Sequence, residues 1–228
     1  MAASAASKRR HDSRPESADS EPTDNRETKA ARTRERLITA AATVLSTKGY
    51  AGTRLSDIAA EARMQAPAIY YHFPSREDLI QEVLVEGTIR LRDHVEQRLA
   101  ECPEGTPALD LIDVAIEAHL TGLMSGSGFA HSVIRNQSQL PKEMRSRQLV
   151  EERKYAATWR NLFETAHAEG SLRDGIDPQL ARLLIIGALN WATEWWTPAR
   201  GSLDGVIETA QAMAHSGIAR TRRRAARR

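Results

Sequence analysis

The chain has 228 residues, of which 41% are hydrophobic and 27% are charged, and its formal net charge is +2. Its single cysteine, Cys102, excludes an internal disulfide and a zinc site built from cysteines. The chain does not open with a basic and then apolar leader, and its longest apolar run, residues 183–189, is far shorter than the ~20 residues of a membrane span. We therefore expect a soluble, cytoplasmic protein that does not enter a membrane and holds no metal ion and no cofactor.

Charge is distributed unevenly along the chain. Residues 28–78 carry eight Lys/Arg and five Asp/Glu, whereas residues 79–217 carry thirteen Lys/Arg and nineteen Asp/Glu. The last eleven residues, 218–228, contain six arginines and no acid. A basic head and tail on an acidic body indicates that one end meets a polyanion, although a simple solvated charge distribution would give similar numbers.

Both ends of the chain are predicted to be disordered. Residues 1–27 have no large apolar residue after Met1, so they bury too little surface to offset the entropy lost on ordering. The arginines of residues 218–228 repel one another. This C-terminal tail either adds nonspecific affinity for DNA or is a passive solvated segment.

Helical periodicity is continuous between these tails, and no segment alternates as a strand does. Ser75 and Asp78 form a capping box at the start of the fourth helix, whose apolar stripe repeats every four residues from Leu79 to Leu99. The sequence predicts an all-α fold of about nine helices. In chain order, these helices cover residues 28–47, residues 53–62, part of 64–76, residues 75–99, residues 107–124, a segment ending at 140, and residues 141–170, 178–198 and 202–217.

The segment MQAPAIYYHFPSR, residues 64–76, predicts the recognition helix of a helix-turn-helix motif, in which the third of three helices enters the DNA major groove. Pro67 lacks an N–H and has a preset φ, so it begins a helix at little cost. The ring of Pro67 and the methyl groups of Ala66 and Ala68 make a smooth tip suited to thymine methyl groups. Tyr71 and His72 can donate hydrogen bonds to phosphate oxygens, which set the register on DNA.

A longer segment, GYAGTRLSDIAAEARMQAPAIYYHFPSREDLI at residues 49–80, resembles the DNA-binding signature of TetR-family transcriptional regulators. Its ending, two aromatics with His and Phe followed by Pro-Ser-Arg-Glu-Asp-Leu, is very specific. At the start of the fourth helix, Arg76 adds charge where backbone N–H groups already favour an anion. The resemblance implies the following contacts with bases or backbone: Thr53, Ser56, Gln65, Ala66, Pro67, Ala68, Tyr70, Tyr71, His72 and Arg76.

Two positions depart from the family's usual pattern. Arg63 stands where the family usually has glycine, because the turn needs a positive φ. Arg63 is therefore expected either to adopt the left-handed conformation, at a cost of ~1 kcal/mol, or to change the turn. Gln65 stands where a serine-like cap is usual, and glutamine imitates such a cap poorly.

The resemblance divides the chain into a DNA-binding domain, residues 28–78, and a ligand-binding and dimerisation domain, residues 79–217. The helix predicted at 178–198 is apolar on two sides, so one side should face the interior and the other a partner subunit. With the last helix, two copies would form a four-helix bundle, as is usual in the family. A two-fold dimer requires a near-palindromic operator with half-sites ~34 Å apart or a multiple of that distance. The predicted dimer interface is Ile185, Leu189, Ala192, Trp196, Val206, Ala210, Met213 and Gly217.

Aromatic side chains cluster in the second domain. They repeat every four residues in two of its predicted helices, a pattern found in ordinary cores as well as around ligands. His119 shares an apolar helix face with Ile116 and is expected to be a hydrogen-bonded core histidine. The predicted ligand-binding residues are Leu120, Leu123, Met124, Phe129, Tyr155, Trp159, Phe163, Trp191 and Trp195.

The segment GALNWATEWWTPARGSL, residues 187–203, resembles the TetR branch that regulates fatty-acid and sterol breakdown, whose effectors are acyl-CoA thioesters. This resemblance implies a small hydrophobic effector such as an acyl-CoA, with Arg135, Arg160 and Arg182 as candidate phosphate contacts. Two alternatives stay open. One is a lipophilic cation held by Glu194 beside tryptophans, and the other is a filled body that responds to a protein partner.

No nucleophile elbow, HExxH motif, phosphate loop or paired catalytic carboxylates occur in the sequence, so we do not expect an enzyme. The expected function is that of a homodimeric transcriptional repressor that binds double-stranded palindromic operator DNA. Because the fourth helix is predicted to belong to both domains, effector binding should tilt it and change the separation of the two recognition helices.

Overall fold

The computed structural model describes residues 21–124, 128–136 and 145–220, and these form nine α-helices. Within these ranges the one pairing of strand type is an isolated bridge between Leu172 and Ala219. The predicted all-α fold is confirmed. The helices are α1 (Glu21–Gly52), α2 (Leu55–Glu61), α3 (Ala66–Ile69), α4 (Arg76–Ala100), α5 (Ala108–Met124), α6 (Phe129–Asn136), α7 (Arg145–Ala168), α8 (Pro178–Trp195) and α9 (Leu203–Ile218).

The described structure extends past the predicted helices at both chain ends. The backbone of residues 21–27 forms the first turns of α1, and residues 1–20 lie outside the described part, so disorder over 1–27 stays a prediction. Ile218 is buried, and the N–H of Arg220 donates to the carbonyl of Ser171 at 2.8 Å. Disorder is therefore wrong for residues 218–220, while 221–228 lie outside the described part.

The interior helix boundaries follow the sequence with small shifts. Gly49, at φ 70°, interrupts α1 where the sequence predicts its end. The second helix begins at Leu55 rather than at Thr53. Ser75 accepts from the N–H of Asp78 at 3.0 Å and donates to its carboxylate at 2.7 Å, so the predicted pairing at the start of α4 is confirmed. The predicted extension to residue 140 and the helix start at 141 lie outside the described residues.

Two hydrophobic cores lie along α4. The head core joins α1, α2 and α3 to the first half of α4, through residues such as Leu79 and Val83. The body core combines Val95, from the second half of α4, with α5, α7, α8 and α9. One continuous helix therefore connects the two cores, so a displacement of one half changes the packing of the other.

The short helix α6 packs closely against α4. A Cβ atom at Gly87 would lie 2.8 Å from Val133 Cγ2 and 2.9 Å from the carbonyl oxygen of Phe129. Only glycine therefore allows α4 and α6 to approach this closely. Phe129 itself packs into the head core, with the Arg90 guanidinium 4.3 Å from its ring centre.

Hydrogen bonds also attach α6 to α1. Ser132 and Asn136 are both fully buried. The Ser132 hydroxyl donates to the backbone carbonyl of Ala42 at 3.1 Å, and the side-chain oxygen Oδ1 of Asn136 accepts from the backbone N–H of Tyr50 at 2.8 Å. Because Tyr50 follows the interruption at Gly49, its N–H lacks the regular helical partner that Asn136 replaces. The α6 helix is thus fixed to both long helices of the head.

No helix in the described part of the chain has the length and apolar character needed to cross a membrane.

Candidate functional site

The predicted recognition segment, residues 65–72, lies at the surface of the head. Tyr71 is 89% exposed and Tyr70 is 59% exposed. Gln65 and Pro67 are also exposed, whereas Ala66, Ala68 and His72 are half-buried. Ile69 is fully buried in the head core and fixes the segment from behind. The regular helix α3 covers only Ala66–Ile69, and hydrogen-bonded turns continue it through His72.

The turn before the recognition segment keeps the geometry that the family's glycine would give. Arg63 has φ 52°, so it adopts the left-handed conformation that the sequence allows as one of two outcomes. The N–H of Met64 then reaches back to the carbonyl of Ala59 at 2.8 Å. Gln65 makes no side-chain cap, and its backbone carbonyl accepts from Ala68 N–H at 2.9 Å instead. The segment is therefore positioned without the usual side-chain cap, and the left-handed backbone of Arg63 costs ~1 kcal/mol.

Two residues predicted to contact DNA hold the head together. Thr53 is 1% exposed, and its hydroxyl donates to the carbonyl of Gly49 at 2.7 Å. Arg76 donates from Nε to the carbonyl of Thr53 at 2.7 Å and from another nitrogen to the carbonyl of Tyr50, with its guanidinium 4.6 Å from the Tyr50 ring centre. The interruption at Gly49 leaves these carbonyls without helical partners. The Thr53 side chain is therefore buried away from the surface, so its predicted DNA contact is not supported. Arg76 donates once from each of its three nitrogens and keeps two further N–H groups, so its phosphate contact stays a prediction.

Free positive charge lies elsewhere on the head. Arg54 and Arg63 are exposed, and their guanidinium groups have no hydrogen-bond or ion-pair partner among the described residues. Ser56, a predicted backbone contact, is exposed between them on α2. By contrast, Lys48 pairs with Asp57 at 2.9 Å. The sequence placed these arginines beside the motif, but only the structure separates the free ones from the paired ones.

A cavity of about 340 Å³, partly open to solvent beside Leu183, lies in the body, and its volume is within the range of small-molecule sites. Five helices form it: α4, α5, α6, α7 and α8. We call it the inner cavity. Of the predicted ligand-binding residues, Tyr155 and Trp159 line it. Arg182, predicted as a candidate phosphate contact of the effector, lines it as well. Lining residues that the sequence prediction did not include are Gly87, Thr88, Leu91, His119, Val133, Ile134, Glu152, Ala156, Leu183, Ile186, Gly187 and Asn190.

A hydrogen-bonded chain of three side chains occupies one wall of the inner cavity. His119 is 1% exposed; its Nδ1 lies 2.6 Å from the Tyr155 hydroxyl and its Nε2 lies 3.0 Å from Asn190 Oδ1. Burial lowers the pKa of His119 to about 4, so the imidazole is neutral near pH 7. Burial also raises the pKa of Tyr155, which keeps its hydroxyl protonated. These contacts agree with the expectation that His119 is a hydrogen-bonded core histidine.

The other predicted ligand-binding residues lie outside the inner cavity. Leu120, Leu123 and Phe163 are buried, and Met124 packs at the edge of the body core. Phe129 belongs to the head core, as described above. Leu120 lines the groove between α8 and α9 and Phe163 a neighbouring polar cavity, so their part in ligand binding stays a prediction. Four-residue spacing shows that side chains share a face but not which face meets an empty space.

The two apolar stripes of α8 differ in exposure. Leu189 and Ala192, predicted at a dimer interface, are 4% and 2% exposed and belong to the body core. Both also line a groove beside α9, so the dimer assignment stays a prediction. Trp191 and Trp195, predicted in the ligand site, are 65% and 39% exposed, and neither lines the inner cavity. A helix that is apolar all round does not itself reveal which side is inward.

An exposed apolar face runs along α8 and α9, and we call it the α8–α9 face. Leu180, Leu184, Trp191 and Met213 are 59%, 75%, 65% and 72% exposed on it. A groove of about 700 Å³ follows its length. Six of the predicted dimer residues line this groove: Ile185, Leu189, Ala192, Val206, Ala210 and Met213. Trp196 and Gly217 are half-buried nearby.

A helix-turn-helix head joined to a helical body with a cavity is the architecture of a transcriptional regulator. Two family models match the chain. One, described as bacterial regulatory proteins of the tetR family, matches residues 37–83. The other, described as the tetracyclin repressor-like C-terminal domain, matches residues 105–217. The chain belongs to the TetR family, whose members are transcriptional regulators and not enzymes.

Individual relatives share this fold at low identity. The HTH-type transcriptional repressor KstR2 of Rhodococcus jostii is 25% identical over 182 residues, which are 78% of this chain and 85% of that protein. The regulator LmrA of Bacillus subtilis is 30% identical over 71 residues, which are 31% of this chain and 36% of that protein.

Among solved structures, AibR in complex with isovaleryl coenzyme A and operator DNA superposes with a TM-score of 0.71 at 21% identity, covering 81% of this chain and 97% of that one. FadR from Bacillus subtilis in complex with stearoyl-CoA gives 0.68 at 22% identity, covering 81% and 98%.

The buried neutral imidazole makes stability depend on pH. The unfolded chain protonates His119 near pH 6.5, whereas the folded chain does so near pH 4. As pH falls from 6.5 to 4, the unfolded state gains the proton first, so the free energy of unfolding should decrease by up to ~3 kcal/mol. Urea unfolding of His119→Gln between pH 7 and pH 4.5 should show a flatter dependence than the wild type. The exposed His167→Gln variant should keep the wild-type slope, and an unchanged slope in His119→Gln would contradict this account.

Proposed function

We propose that this TetR-family regulator is a homodimeric repressor that binds palindromic operator DNA and is released by a small hydrophobic effector such as an acyl-CoA. The protein would then act on DNA in the cytoplasm. One observation carries the proposal: an outward recognition segment stands on a head that shares α4 and α6 with the inner cavity. Sensing and DNA contact therefore use the same packed elements.

DNA contact is proposed for the exposed part of the head. Ala66, Pro67, Ala68 and Tyr70 present small apolar groups and a hydroxyl to base edges, and Gln65 presents an amide beside them. Tyr71 and His72 donate to phosphate groups, and Ser56 adds a donor on α2. Arg54 and Arg63 supply free positive charge. This set omits the predicted contact of Thr53, whose side chain is buried, and the phosphate contact of Arg76 stays a prediction.

A second copy of the chain is proposed to cover the α8–α9 face. Monomeric proteins rarely leave a contiguous apolar patch of this kind in water. A two-fold pair uses the same face twice, so Leu184 and Met213 of each copy would meet the partner's apolar residues. Two recognition segments related by that axis fit two half-sites of a palindrome.

The inner cavity is the proposed effector site. Isoleucine, leucine and valine side chains and the ring of Trp159 form an apolar part of its wall, which suits an acyl chain. AibR and FadR, which share the fold, have been solved with isovaleryl coenzyme A and stearoyl-CoA. The cationic alternative is less favoured, because Glu194 is exposed and does not line this cavity. The volume of the cavity likewise argues against a filled body.

Coupling between effector and DNA is proposed to run through α4 and α6. An effector in the inner cavity touches Gly87 of α4 and Val133 of α6, which are themselves in close contact. Displacing α6 strains the bond from Asn136 to Tyr50, and the Tyr50 carbonyl and ring in turn hold Arg76 at the start of α4. Effector and DNA then weaken each other's binding by the same factor.

Changes in the recognition segment should abolish operator binding without unfolding the head. Tyr71→Ala and His72→Ala should each weaken binding to an operator selected from random duplexes by roughly tenfold or more, because a hydrogen bond to phosphate is lost. Fluorescence anisotropy measures the affinity, and circular dichroism checks helicity. Arg153→Ala, an exposed change on the body, is the control. Wild-type affinity in both recognition variants would refute the DNA-binding assignment.

Acidic substitutions on the α8–α9 face should produce monomers. Leu184→Glu and Met213→Glu place a charge in the proposed apolar contact, while both side chains are exposed enough to leave the single chain folded. Light scattering after size exclusion should report half the wild-type mass, and affinity for a two-half-site operator should fall. Val150→Glu, at an apolar position 48% exposed on α7, should remain dimeric. Dimers in both variants, or a monomeric wild type, would exclude this interface.

Acyl-CoA should dissociate the operator complex. We expect release by isovaleryl-, decanoyl- or stearoyl-CoA, with no release by free CoA or by the cationic dye crystal violet. Asn136→Ala should still bind the active thioester in calorimetry but release the operator less, because its link to Tyr50 is absent. Release by the dye alone would favour the cationic alternative, and release by none of these probes would exclude both effector classes.

A further inference from the structure

The polar groups that line the inner cavity differ in whether they already have hydrogen-bond or ion-pair partners. Arg182 lines the cavity from α8 and is 8% exposed. Its buried Nε has no hydrogen-bond partner among the described residues, and the side chain forms no ion pair within them. Burial lowers the pKa of Arg182, the neighbouring Arg160 adds to this effect, and Glu164 opposes it. A guanidinium held this way favours an anion that would compensate its charge.

The hydrogen-bonded chain of Tyr155, His119 and Asn190 fixes a second donor. A neutral His119 carries one N–H, and Asn190 Oδ1 accepts it from Nε2. His119 Nδ1 is then the acceptor, so the Tyr155 hydroxyl must donate to it. Asn190 uses its oxygen in this arrangement, and its NH₂ group has no hydrogen-bond partner recorded among the described residues. Residues 182, 186 and 190 share one face of α8, so Arg182 and Asn190 line the same space.

Acidic groups near the cavity do not reverse this pattern. Glu152 also lines the inner cavity, but it already has an interaction partner. Glu164 and Asp177 line a neighbouring polar cavity of about 470 Å³. Arg160 and Arg182 line the same cavity, so two cations accompany the two carboxylates there. Among the described residues that line the inner cavity, the buried side-chain nitrogens without a hydrogen-bond partner, Arg182 Nε and Trp159 Nε1, are donors, and the charge that forms no ion pair is that of Arg182.

We propose that Arg182 binds the acyl carbonyl or carboxylate end of the effector, with the Asn190 amide as a second donor, so that the inner cavity selects acids and acyl compounds and rejects cations. This inference rests on the proposed effector site and adds to it the orientation and the sign of charge of the ligand. The apolar part of the ligand then lies along Ile134 and Ile186, and any larger anionic extension reaches the polar cavity beside Arg160.

Matched ten-carbon probes test the proposal by calorimetry: decanoate, decanol and decyltrimethylammonium. The wild type should bind decanoate roughly tenfold or more tightly than decyltrimethylammonium, as expected for a charge-assisted hydrogen bond. Arg182→Met keeps the length and apolar stem of the side chain but removes the donors. It should lose most of the preference for decanoate over decanol, and Arg182→Lys should retain part of it. Arg153→Met, an exposed arginine on α7, should bind all three probes as the wild type does.

Three results would overturn the assignment. The first is unchanged decanoate affinity in Arg182→Met, and the second is tighter binding of the cation by the wild type. The third is a lowered melting temperature of ligand-free Arg182→Met, which would show that Arg182 is a structural group with its own partner. Operator binding by the wild type without additive is measured in parallel. Its absence would refute the proposed repressor function while leaving the Arg182 result to stand by itself.

Discussion

The structure depends on the packing of α6 against the backbones of α1 and α4. Gly87 allows α4 and α6 to come within a distance that no side chain would permit, and two buried polar side chains bond α6 to α1. Close-packed interiors do not deform smoothly, so a contact of this kind has few alternative arrangements. A helix of eight residues thereby determines where the head stands relative to the body.

The packing of α6 against α1 also helps to provide hydrogen-bond partners for the backbone groups at the interruption of the first helix. Gly49 ends the regular hydrogen-bond ladder and exposes carbonyls and an N–H that need new partners. Asn136, Thr53 and Arg76 supply them, from three different elements. An arginine that looks like a phosphate contact in the sequence is thus part of the joint between the head and α4.

Fold and motif could be predicted from sequence because they depend on local rules. Helical periodicity, the Ser75 cap and the glycine interruption each act within a few residues, and the ending of the recognition motif is specific. The direction in which α8 presents its two apolar stripes could not be predicted, because both are hydrophobic and only packing against α5 and α7 decides. The burial of Thr53 and the residues that line the cavity could not be predicted for a related reason. Burial and empty space depend on how several helices pack together, whereas the spacing of residues in the sequence describes a single helix.

Arg63 shows a compromise between local stability and charge. Its left-handed backbone is a conformation that glycine adopts without penalty, so the chain carries the conformational strain in every state of the molecule. The exposed guanidinium adds a cation at the edge of the recognition segment. Under the proposed function, that charge contributes only while DNA is nearby, whereas the weakened turn is present at all times, so the residue exchanges local stability for longer-range attraction.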